Sequence, residues 1–404
     1  MKKIQPKIIL IHPGIQYTYR MSSALAKINL ISSVSLYTWF TLSYDSFLSK
    51  FDVFKKRVKE VDKKVTIHNF LIFELFLTVY LKTLSVLNID KGNTPRYKMQ
   101  VLFGWFLLPM VYFKRRNSIL VLSETAGWPI AYYAKKWNIP VVMDFPSISH
   151  EAALKGEIKE TSFGIKIKSK ERQYIDFGTN CSRFAAETYK GLTSAKKHFP
   201  IWLAADKKIL KEIKVIDLVE ELNICCLANT EKRKGIDILL TAFQQIDFPK
   251  KKLFLIGKID KNWVQDFCDK NDINNSNIIL TGPLAQQDLS GYLLKNNINL
   301  HILPSRFDSF GMVVPETMML GIPNILSPKV GAGEMLKNGK NGYIMKNLDS
   351  LSLVNAIENY LGLSYAEKNI LRENVIQQAS EMTWENYDKR IAITFDEILM
   401  DINL

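Results

Sequence analysis

The sequence predicts an α/β protein with two doubly wound domains that face one another across a cleft. Short apolar strands alternate with amphipathic helices along the chain, which is typical of parallel sheets covered by helices. The alternation begins at residue 7 and begins again after about residue 215. With 404 residues, the chain is also longer than one ordinary hydrophobic core requires, so two domains are expected.

The first half contains five candidate strands and one candidate crossover helix. The strands are KIILIH (7–12), SSVSLYTWF (32–40), SILVLS (118–123), PVVMDF (140–145) and IDFGTNC (175–181). Between the third and the fourth, WPIAYYAKKWNI (128–139) has the length and apolar spacing of a helix that connects parallel strands.

The same pattern returns in the second half. The candidate strands are NICCLAN (223–229), KLFLIGK (252–258), NIILTG (277–282), INLHILPS (298–305) and IPNILS (322–327). The candidate helices are GIDILLTAFQQI (235–246) and ETMMLG (316–321). We predict one Rossmann-like domain over residues 1–205 and a second over residues 206–380, joined in the polar stretch AADKKILKEIKVID. The amphipathic tail, residues 381–404, is expected to cross back onto the first domain.

Composition and cysteine spacing exclude several classes of protein. A hydrophobic content of 47% with 23% charged residues is ordinary for a folded soluble chain and excludes a disordered or collagenous one. The four cysteines have no framework spacing, and Cys225 and Cys226 lie inside an apolar run, so buried free thiols in a reducing compartment are expected. No cluster of cysteine and histidine has the spacing of a zinc site.

The start of the chain and its two longest apolar runs bear on localisation. MKKIQPKIILIHPG has too few apolar residues before His12 for a signal peptide, and we expect a strand there. The runs 69–81 and 101–113 are shorter than the roughly 20 residues that a spanning helix needs. We therefore expect a cytoplasmic protein that associates peripherally with the inner face of the plasma membrane.

The net charge of +14 is concentrated in one half of the chain. Residues 1–203 contain 31 Lys and Arg against 14 Asp and Glu, whereas the remainder contains 23 against 26. This asymmetry indicates an anionic partner for the first half. The basic residues are mixed with apolar and aromatic runs and no nucleic-acid-binding motif accompanies them, which favours an anionic membrane surface over nucleic acid. A plain solvated basic face stays open as an alternative.

Four segments follow strands and therefore lie at the carboxyl edges of the sheets, where open α/β proteins bind ligands. HPGIQ follows the first strand, and Gly14 there allows close approach of backbone to a ligand. NTEKRKG (229–235) places Arg233 and Lys234 at the start of a helix, which suits a diphosphate. TGPL (281–284) and PSRFDSFG (304–311) complete the rim. An ordinary turn at Gly14 and a solvated charge run at 232–234 are the alternatives.

An aspartate and a glutamate bracket the apolar stretch SRFDSFGMVVPETMMLGIP (305–323). If Pro315 begins a helix, Glu316 lies in its first turn and Asp308 lies on the loop just before it. Both carboxylates then point into one space, where they suit the neighbouring hydroxyls of a sugar and a ribose. A surface loop followed by a core helix is the alternative interpretation.

With these motifs, the chain resembles the retaining glycosyltransferases of family four, the glycosyl transferases group 1, which have the GT-B architecture. The family's two acidic residues, separated by seven positions, correspond to Asp308 and Glu316. The other motifs of the family occur in the expected order as KRKGIDILLTAF (232–243), LFLIGK (253–258), IILTGPL (278–284) and EMLKNGKNGYIM (334–345). The match covers most of residues 220–350, whereas the N-terminal half matches only in outline, as is usual for the domain that binds the varying acceptor.

The resemblance implies roles for the matched residues. Asp308 would hold the donor sugar, Glu316 the ribose and Lys234 the diphosphate, and these three are the expected catalytic residues. The expected donor site also includes Gly14, Arg233, Leu284, Phe310, Gly311, Met312 and Val313. Such enzymes are generally metal-independent, so we expect neither a metal nor a cofactor, with cationic side chains stabilising the leaving group.

The chain departs from the family at three places. The first acidic position is commonly glutamate, and Asp308 is one methylene shorter. Ala228 and Asn229 stand where the family usually has a glycine and an arginine, and Arg233 is a candidate to supply that charge. The histidine often found near the N-terminal cleft is not obvious. Contacts with the acceptor are expected from Glu124, Asp144 or His150, each of which also suits a cap, a turn or a solvated position.

These observations predict a retaining, metal-independent hexosyltransferase that moves a sugar from a nucleotide diphosphate sugar to an acceptor hydroxyl. A lipid-linked glycan or lipopolysaccharide intermediate in bacterial O-antigen or cell-envelope synthesis is the expected acceptor, because the basic half carries apolar faces. The alternatives are a catalytically inert GT-B subunit that binds glycan or acts as a scaffold, and a nucleotide-sugar epimerase. Nucleic acid is not an expected partner, since the half with Asp308 and Glu316 is net acidic.

Overall fold

The computed structural model describes residues 5–14, 17–43, 57–89, 91–155, 160–206, 221–229 and 231–402. Within these ranges the chain forms two large parallel sheets, one from each half, and a short two-stranded pair. Helices cover both faces of each large sheet. The α/β class and the two Rossmann-like domains that the sequence predicts are thereby confirmed.

The sheet of the first half has seven strands. They are β1 (Lys7–Ile11), β2 (Ser33–Thr38), β5 (Val65–Asn69), β6 (Ser118–Ser123), β7 (Val141–Phe145), β8 (Phe177–Asn180) and β9 (Lys197–Pro200). Their order is β5-β2-β1-β6-β7-β8-β9, and every neighbouring pair is parallel. The two-stranded pair joins β3 (Leu42–Ser43) and β4 (Val58–Lys59).

Both faces of this sheet are buried, and this explains the apolar character of its central strands. Along β1, Ile8 and Leu10 face one core while Ile9 and Ile11 face another. The helices of this half are α1 (Thr18–Leu25), α2 (Leu71–Val86), α3 (Thr94–Lys114), α4 (Ile130–Lys136), α5 (His150–Lys155), α6 (Ser162–Glu171) and α7 (Arg183–Glu187). A 3-10 helix, Arg172–Tyr174, follows α6.

The sheet of the second half has six strands in the order β12-β11-β10-β13-β14-β15. They are β10 (Leu222–Leu227), β11 (Lys251–Ile256), β12 (Ile278–Gly282), β13 (Leu300–Leu303), β14 (Asn324–Leu326) and β15 (Tyr343–Ile344). Its helices are α8 (Ile236–Gln245), α9 (Lys261–Lys270), α10 (Gln286–Lys295), α11 (Val313–Met319) and α12 (Ser350–Leu361). Cys225 and Cys226 are buried free thiols on opposite faces of β10.

The strand predictions hold where both faces of the strand are buried. β6 has the predicted bounds, and the other nine predicted strands end within three residues of their predicted limits. The sequence analysis did not find β5, whose VTIHN is polar and lies at one edge of its sheet, or β9, which lies at the other edge. It also missed the two-residue strands β3, β4 and β15. The helix predicted to begin at Pro315 begins at Val313 instead, and Glu316 still lies in its first turn.

The last two helices are α13 (Tyr365–Ser380) and α14 (Trp384–Asp401), of which α14 lies in the predicted tail. α14 packs against α1 of the first half, and Lys27 Nζ donates to Asp388 Oδ2 at 2.6 Å between the two helices. A backbone bridge between Ala205 and Thr383 lies at the start of this contact. The boundary predicted between residues 205 and 206 stays a prediction, because most of the polar junction lies outside the described residues.

The two long apolar runs of the first half form α2 and α3, which pack side by side as a helical hairpin. Among the helices within the described ranges, none is both long enough and apolar enough to cross a membrane.

Candidate functional site

A cavity of about 390 Å³ opens between the carboxyl edges of the two sheets. The first half contributes Tyr17 after β1, Pro146 after β7 and Leu203 after β9. The second half contributes Leu227, Ala228, Asn229, Arg233, Lys234, Asp308, Ser309, Phe310, Gly311, Met312 and Val313. The structure therefore brings together most of the residues predicted for the donor site, although they come from two segments that are far apart in the sequence.

A tight turn before α8 positions Lys234. Gly235 precedes this helix with a left-handed backbone, at a φ of +67°. A Cβ at Gly235 would lie 2.1 Å from the carbonyl oxygen of Pro304, so only glycine fits both the backbone angle and the space. This close approach holds the turn of residues 231–235 against the loop that carries Asp308.

The side chain of Arg306 also connects the loop that carries Asp308 to the turn before α8 and to the start of that helix. Its guanidinium donates to both carboxylate oxygens of Asp237, at 2.8 and 2.6 Å, and to the backbone oxygen of Lys232 at 2.7 Å. The backbone N–H of Arg306 also donates to the oxygen of Arg233. The sequence analysis assigned no role to Arg306, because its partners are more than 60 positions away.

Lys234 and Asp308 form the central ion pair of the cavity. The Nζ of Lys234 lies 2.5 Å from Oδ2 of Asp308, and the two side chains are only 9% and 15% exposed. The guanidinium of Arg233 lies 3.9 Å from the same oxygen and also donates to the backbone oxygen of Phe307. Two cationic side chains thus converge on one carboxylate at the place where the turn meets the loop.

The loop after Asp308 bends sharply into α11. Gly311 has a φ of +88°, which side chains rarely adopt, and a Cβ there would crowd Val330 and Leu303. The backbone N–H of Asp308 donates to Lys329, and that of Gly331 donates to Asp308, so the loop is tied to the segment after β14. This bend explains why a glycine follows the first acidic residue.

Ser309 connects this loop to the first half of the chain. Its hydroxyl accepts a hydrogen bond from the N–H of Ile148 at 3.0 Å, and its carbonyl accepts one from the hydroxyl of Ser182 at 2.6 Å. Nearby, Glu334 accepts from the N–H of Phe184 and from Nε1 of Trp202. The residue next to Asp308 is therefore held by both domains, a feature that no local sequence pattern indicates.

Glu316 and Leu284 lie beside the cavity, although neither is among the residues that line it. Glu316 accepts a hydrogen bond from Gln286 at 3.0 Å, and its burial raises the pKa of its carboxyl from 4.5 to about 7. Leu284 lies on the loop after β12 and packs in the same apolar cluster as Val313, three positions before Glu316. Both side chains are thus on the side of the cavity formed by α11.

The first half contributes Tyr17 rather than Gly14 to the cavity wall. Burial raises the pKa of the Tyr17 hydroxyl, and the nearby thiol of Cys181 and carboxylate of Glu316 act in the same direction. The N–H of Gly14 donates to Nδ1 of its neighbour His12 at 2.9 Å. Tyr17 was not predicted, since a single tyrosine after a strand carries no distinctive signal.

The three residues predicted to touch the acceptor have different surroundings. Glu124 is 6% exposed and accepts hydrogen bonds from Arg172 at 3.0 and 2.5 Å, so it belongs to a buried ion pair. His150 is also buried, and burial and the charge of Arg172 lower its pKa. Asp144 accepts from the hydroxyl of Thr179, and burial raises its pKa to about 6. None of the three is among the described residues that line the cavity.

Potential metal ligands are dispersed in the described part of the chain. No group of three or more histidine, cysteine, aspartate or glutamate side chains there has the arrangement of a metal site. The predicted absence of a metal from the reaction stays a prediction.

The second half of the chain is similar to a known protein family. Residues 209–382 match the model of the family described as glycosyl transferases group 1. This segment contains the turn with Lys234, the loop with Asp308 and the helix with Glu316.

Two curated relatives are named for a cps region and for capsular polysaccharide biosynthesis. The chain is 28% identical over 141 residues to an uncharacterised 41.2 kDa protein in the cps region of Klebsiella pneumoniae, covering 35% of this chain and 37% of the relative. It is 29% identical over 133 residues to the capsular polysaccharide biosynthesis glycosyltransferase CapM of Staphylococcus aureus, covering 31% and 33%. The chain thus matches well under two thirds of the length of these relatives.

Solved structures match the chain over nearly its whole length. Sucrose-phosphate synthase from Thermosynechococcus elongatus superposes with a TM-score of 0.69 at 16% identity, covering 98% of this chain and all of the other. Anabaena HepE in complex with UDP gives 0.64 at 13%, covering 97% and 100%. The lipopolysaccharide outer core galactosyltransferase WaaB gives 0.63 at 14%, covering 96% and 99%. At these identities the likeness establishes the fold, which is GT-B.

Proposed function

We propose that the protein transfers a sugar from a nucleotide diphosphate sugar to an acceptor hydroxyl, starting from the match of residues 209–382 to the glycosyl transferases group 1 model. The observation that carries the proposal is the convergence of Lys234, Arg233 and Asp308 at the cavity between the two domains. Cations beside a carboxylate suit a ligand that joins a diphosphate to a polyhydroxylated sugar.

Each group has a proposed task in binding the donor. Lys234 and Arg233 contact the diphosphate, and Asp308 accepts hydrogen bonds from sugar hydroxyls. Glu316 accepts from the ribose hydroxyls, and Leu284 packs beside the base. The HepE structure was solved with UDP, so we propose a uridine nucleotide as the first donor to examine.

The proposed transfer retains the anomeric configuration and proceeds on one face of the sugar. The bond from the anomeric carbon to the diphosphate oxygen breaks, and a bond from the same carbon to the acceptor oxygen forms. The acceptor proton passes to the departing diphosphate, whose growing negative charge is stabilised by Lys234 and Arg233. Asp308 stays in its ion pair with Lys234 and orients the sugar, and no metal takes part.

A lipid-linked glycan or lipopolysaccharide intermediate is the proposed acceptor, in the synthesis of a bacterial cell-envelope polysaccharide such as O-antigen. Support comes from the two capsule-associated relatives and from the basic charge of the first half. The proposed location is the inner face of the plasma membrane, where the protein is peripherally bound. The next subsection derives a surface for that contact.

Thermal-shift measurements with UDP, GDP, ADP and CMP, each with and without sugar, test the donor site. A ligand that binds only the folded protein raises its melting temperature, so one nucleotide diphosphate is expected to give a clear increase. Incubation of the protein with the matching nucleotide sugar then distinguishes the functions. Slow release of free sugar supports a transferase, an altered sugar on an intact nucleotide indicates an epimerase, and no shift with any nucleotide contradicts the proposal.

A further inference from the structure

Exposed large apolar side chains are concentrated on the hairpin formed by α2 and α3. On α2, Phe76 is 61% exposed and Val79 is 62% exposed, and on α3 Phe113 is 81% exposed. The neighbouring exposed side chains of the hairpin include Ile72, Leu75, Val86, Leu102, Trp105 and Phe106. Soluble proteins rarely expose an apolar patch this large unless it binds something.

The spacing of these side chains gives each helix a continuous outer stripe. α2 buries only Phe73, Leu77 and Leu84, although most of its residues are apolar. Aromatic rings of α2 and α3 pack together: the ring centroids of Phe73 and Phe106 lie 5.4 Å apart. The exposed stripes therefore belong to one rigid surface, which extends roughly 21 Å along α2 from Ile72 to Val86 at the usual helical rise.

Positive charge accompanies this apolar surface. Residues 71–116 contain seven Lys and Arg against two acidic residues. Lys82, Lys91, Arg96 and Lys98 lie on the part of the hairpin before Phe103, and Lys114, Arg115 and Arg116 lie at the end of α3 beside the start of β6. One of the two acidic residues, Glu74, is paired with Arg57. An apolar face with a cationic border is complementary to the anionic headgroups and acyl chains of a bilayer surface.

The hairpin projects from the edge of the sheet that faces the cavity. Phe103, near the middle of α3, packs against Trp39 after β2 and against Phe70 after β5, at ring distances of 6.3 and 5.5 Å. From Phe103 onward, α3 runs back along the sheet to the start of β6. The first half of α3 and most of α2 therefore extend beyond the carboxyl edges of the strands.

We propose that the α2–α3 hairpin is an interfacial membrane anchor that lies in the surface of an anionic bilayer. The stripe of Ile72, Phe76 and Val79 enters the boundary between headgroups and acyl chains, and the basic residues on the projecting part contact the headgroups. A bilayer fits this surface better than a second copy of the chain, because twofold pairing of the same face would bring its cationic residues together.

The anchor also orients the enzyme. Because the hairpin projects from the edge that faces the cavity, its insertion turns the cleft toward the bilayer. A lipid-linked acceptor then reaches the cavity while its lipid stays in the membrane. Only this statement on the acceptor rests on the proposed function; membrane binding itself does not require the protein to be an enzyme.

Flotation with lipid vesicles tests the anchor in the full-length protein. We expect the protein to float with vesicles of phosphatidylcholine and phosphatidylglycerol at low salt, and to float less with pure phosphatidylcholine or at high salt. The variant Phe76→Glu/Val79→Glu places charge in the apolar stripe at two exposed positions. We expect it to lose roughly tenfold or more in vesicle partition without a change in melting temperature. Ile370→Glu, on the exposed side of α13, is the matched control and is expected to bind vesicles like the wild type.

Three outcomes would overturn the anchor. The first is a wild-type protein that does not float with anionic vesicles, and the second is a double variant that floats equally well. The third is a wild-type dimer that the double variant converts to a monomer, which would assign the surface to a second copy. Nucleotide binding, measured by thermal shift in the same double variant, separates the two proposals: it is expected to be unchanged if the donor site is correct, whatever the flotation result.

Discussion

Lys234 and Asp308 are 74 positions apart in the sequence, and their charged atoms lie 2.5 Å apart at the wall of the cavity. Each neutralises the other in the protein without donor. A diphosphate that approaches Lys234 and a sugar hydroxyl that approaches Asp308 therefore meet one coupled pair rather than two independent groups. Binding of the donor and orientation of its sugar are linked through this contact.

Removal of the lysine tests what Lys234 alone contributes to the transfer. We expect Lys234→Ala to lower kcat/KM by roughly 10²–10³, the range found when one donor to a developing negative charge is removed. The variant also leaves Asp308 without its nearest partner, so its free energy of unfolding should fall as well. Initial rates and urea unfolding measure the two effects separately.

The coupling itself requires a double-mutant cycle. Lys234→Ala and Asp308→Asn should be non-additive by more than about 0.5 kcal/mol in transfer activity, because the residues are in direct contact. Lys261→Ala, which removes an exposed lysine at the start of α9, is the control and should behave like the wild type. Near-normal turnover of Lys234→Ala would show that Lys234 does not contribute to the transfer.

Arg306 is expected to act by positioning. Its forked contact with Asp237 and its bond to the carbonyl of Lys232 hold the turn that carries Lys234. The pair is partly exposed, so Arg306→Ala should cost only about 1 kcal/mol of stability while clearly weakening nucleotide binding. Arg306→Lys should not restore binding, because lysine lacks the planar fork. Equal nucleotide affinity in all three proteins, measured by calorimetry, would contradict this role.

The sequence analysis succeeds where the physical signal is local. The central strands were predicted because both of their faces are buried, as at β6, where six consecutive residues are buried. Asp308 and Glu316 were found together because the loop and the helix that hold them are adjacent in sequence. β5 was missed because it is an edge strand with a polar pattern.

Contacts between distant segments explain what the sequence analysis did not find. The bond from Ser182 to Ser309 joins residues 127 positions apart. Glu124 was a candidate for the acceptor because it follows a strand, yet its charge is matched by Arg172 from the 3-10 helix after α6. Spacing along the chain carries no information on such pairs, since they depend on how the helices pack onto the sheet.

Glu316 should make both stability and nucleotide binding depend on pH. Its pKa is raised to about 7 by burial, so the folded protein keeps this proton at pH values where the unfolded chain has lost it. Its contribution therefore lowers the free energy of unfolding as the pH rises from about 4.5 to about 7. Glu316→Gln has no such titration and should gain stability relative to the wild type as the pH rises through that window.

Binding of the nucleotide should depend on pH in the opposite direction. The ionised carboxylate accepts hydrogen bonds from ribose hydroxyls more strongly than the protonated one, so affinity should increase as the pH approaches and passes about 7. Titration calorimetry with UDP at several pH values measures this in wild type and in Glu316→Gln. The same pH dependence in both proteins would show that Glu316 does not contact the ribose.

Glu124 should prove to be a structural residue. It accepts two hydrogen bonds from Arg172, whose side chain is 1% exposed, so Glu124→Ala leaves a buried guanidinium whose remaining salt bridge is to the partly exposed Glu151. We expect a loss of roughly 3–5 kcal/mol in the free energy of unfolding, as for other broken buried ion pairs. Asp144→Asn, which changes a group bonded to one hydroxyl, should cost only about 1 kcal/mol. Urea unfolding gives both values. An unchanged free energy of unfolding in Glu124→Ala, together with a raised KM for the acceptor, would instead show that Glu124 binds the acceptor. A residue that binds substrate affects KM without supporting the fold.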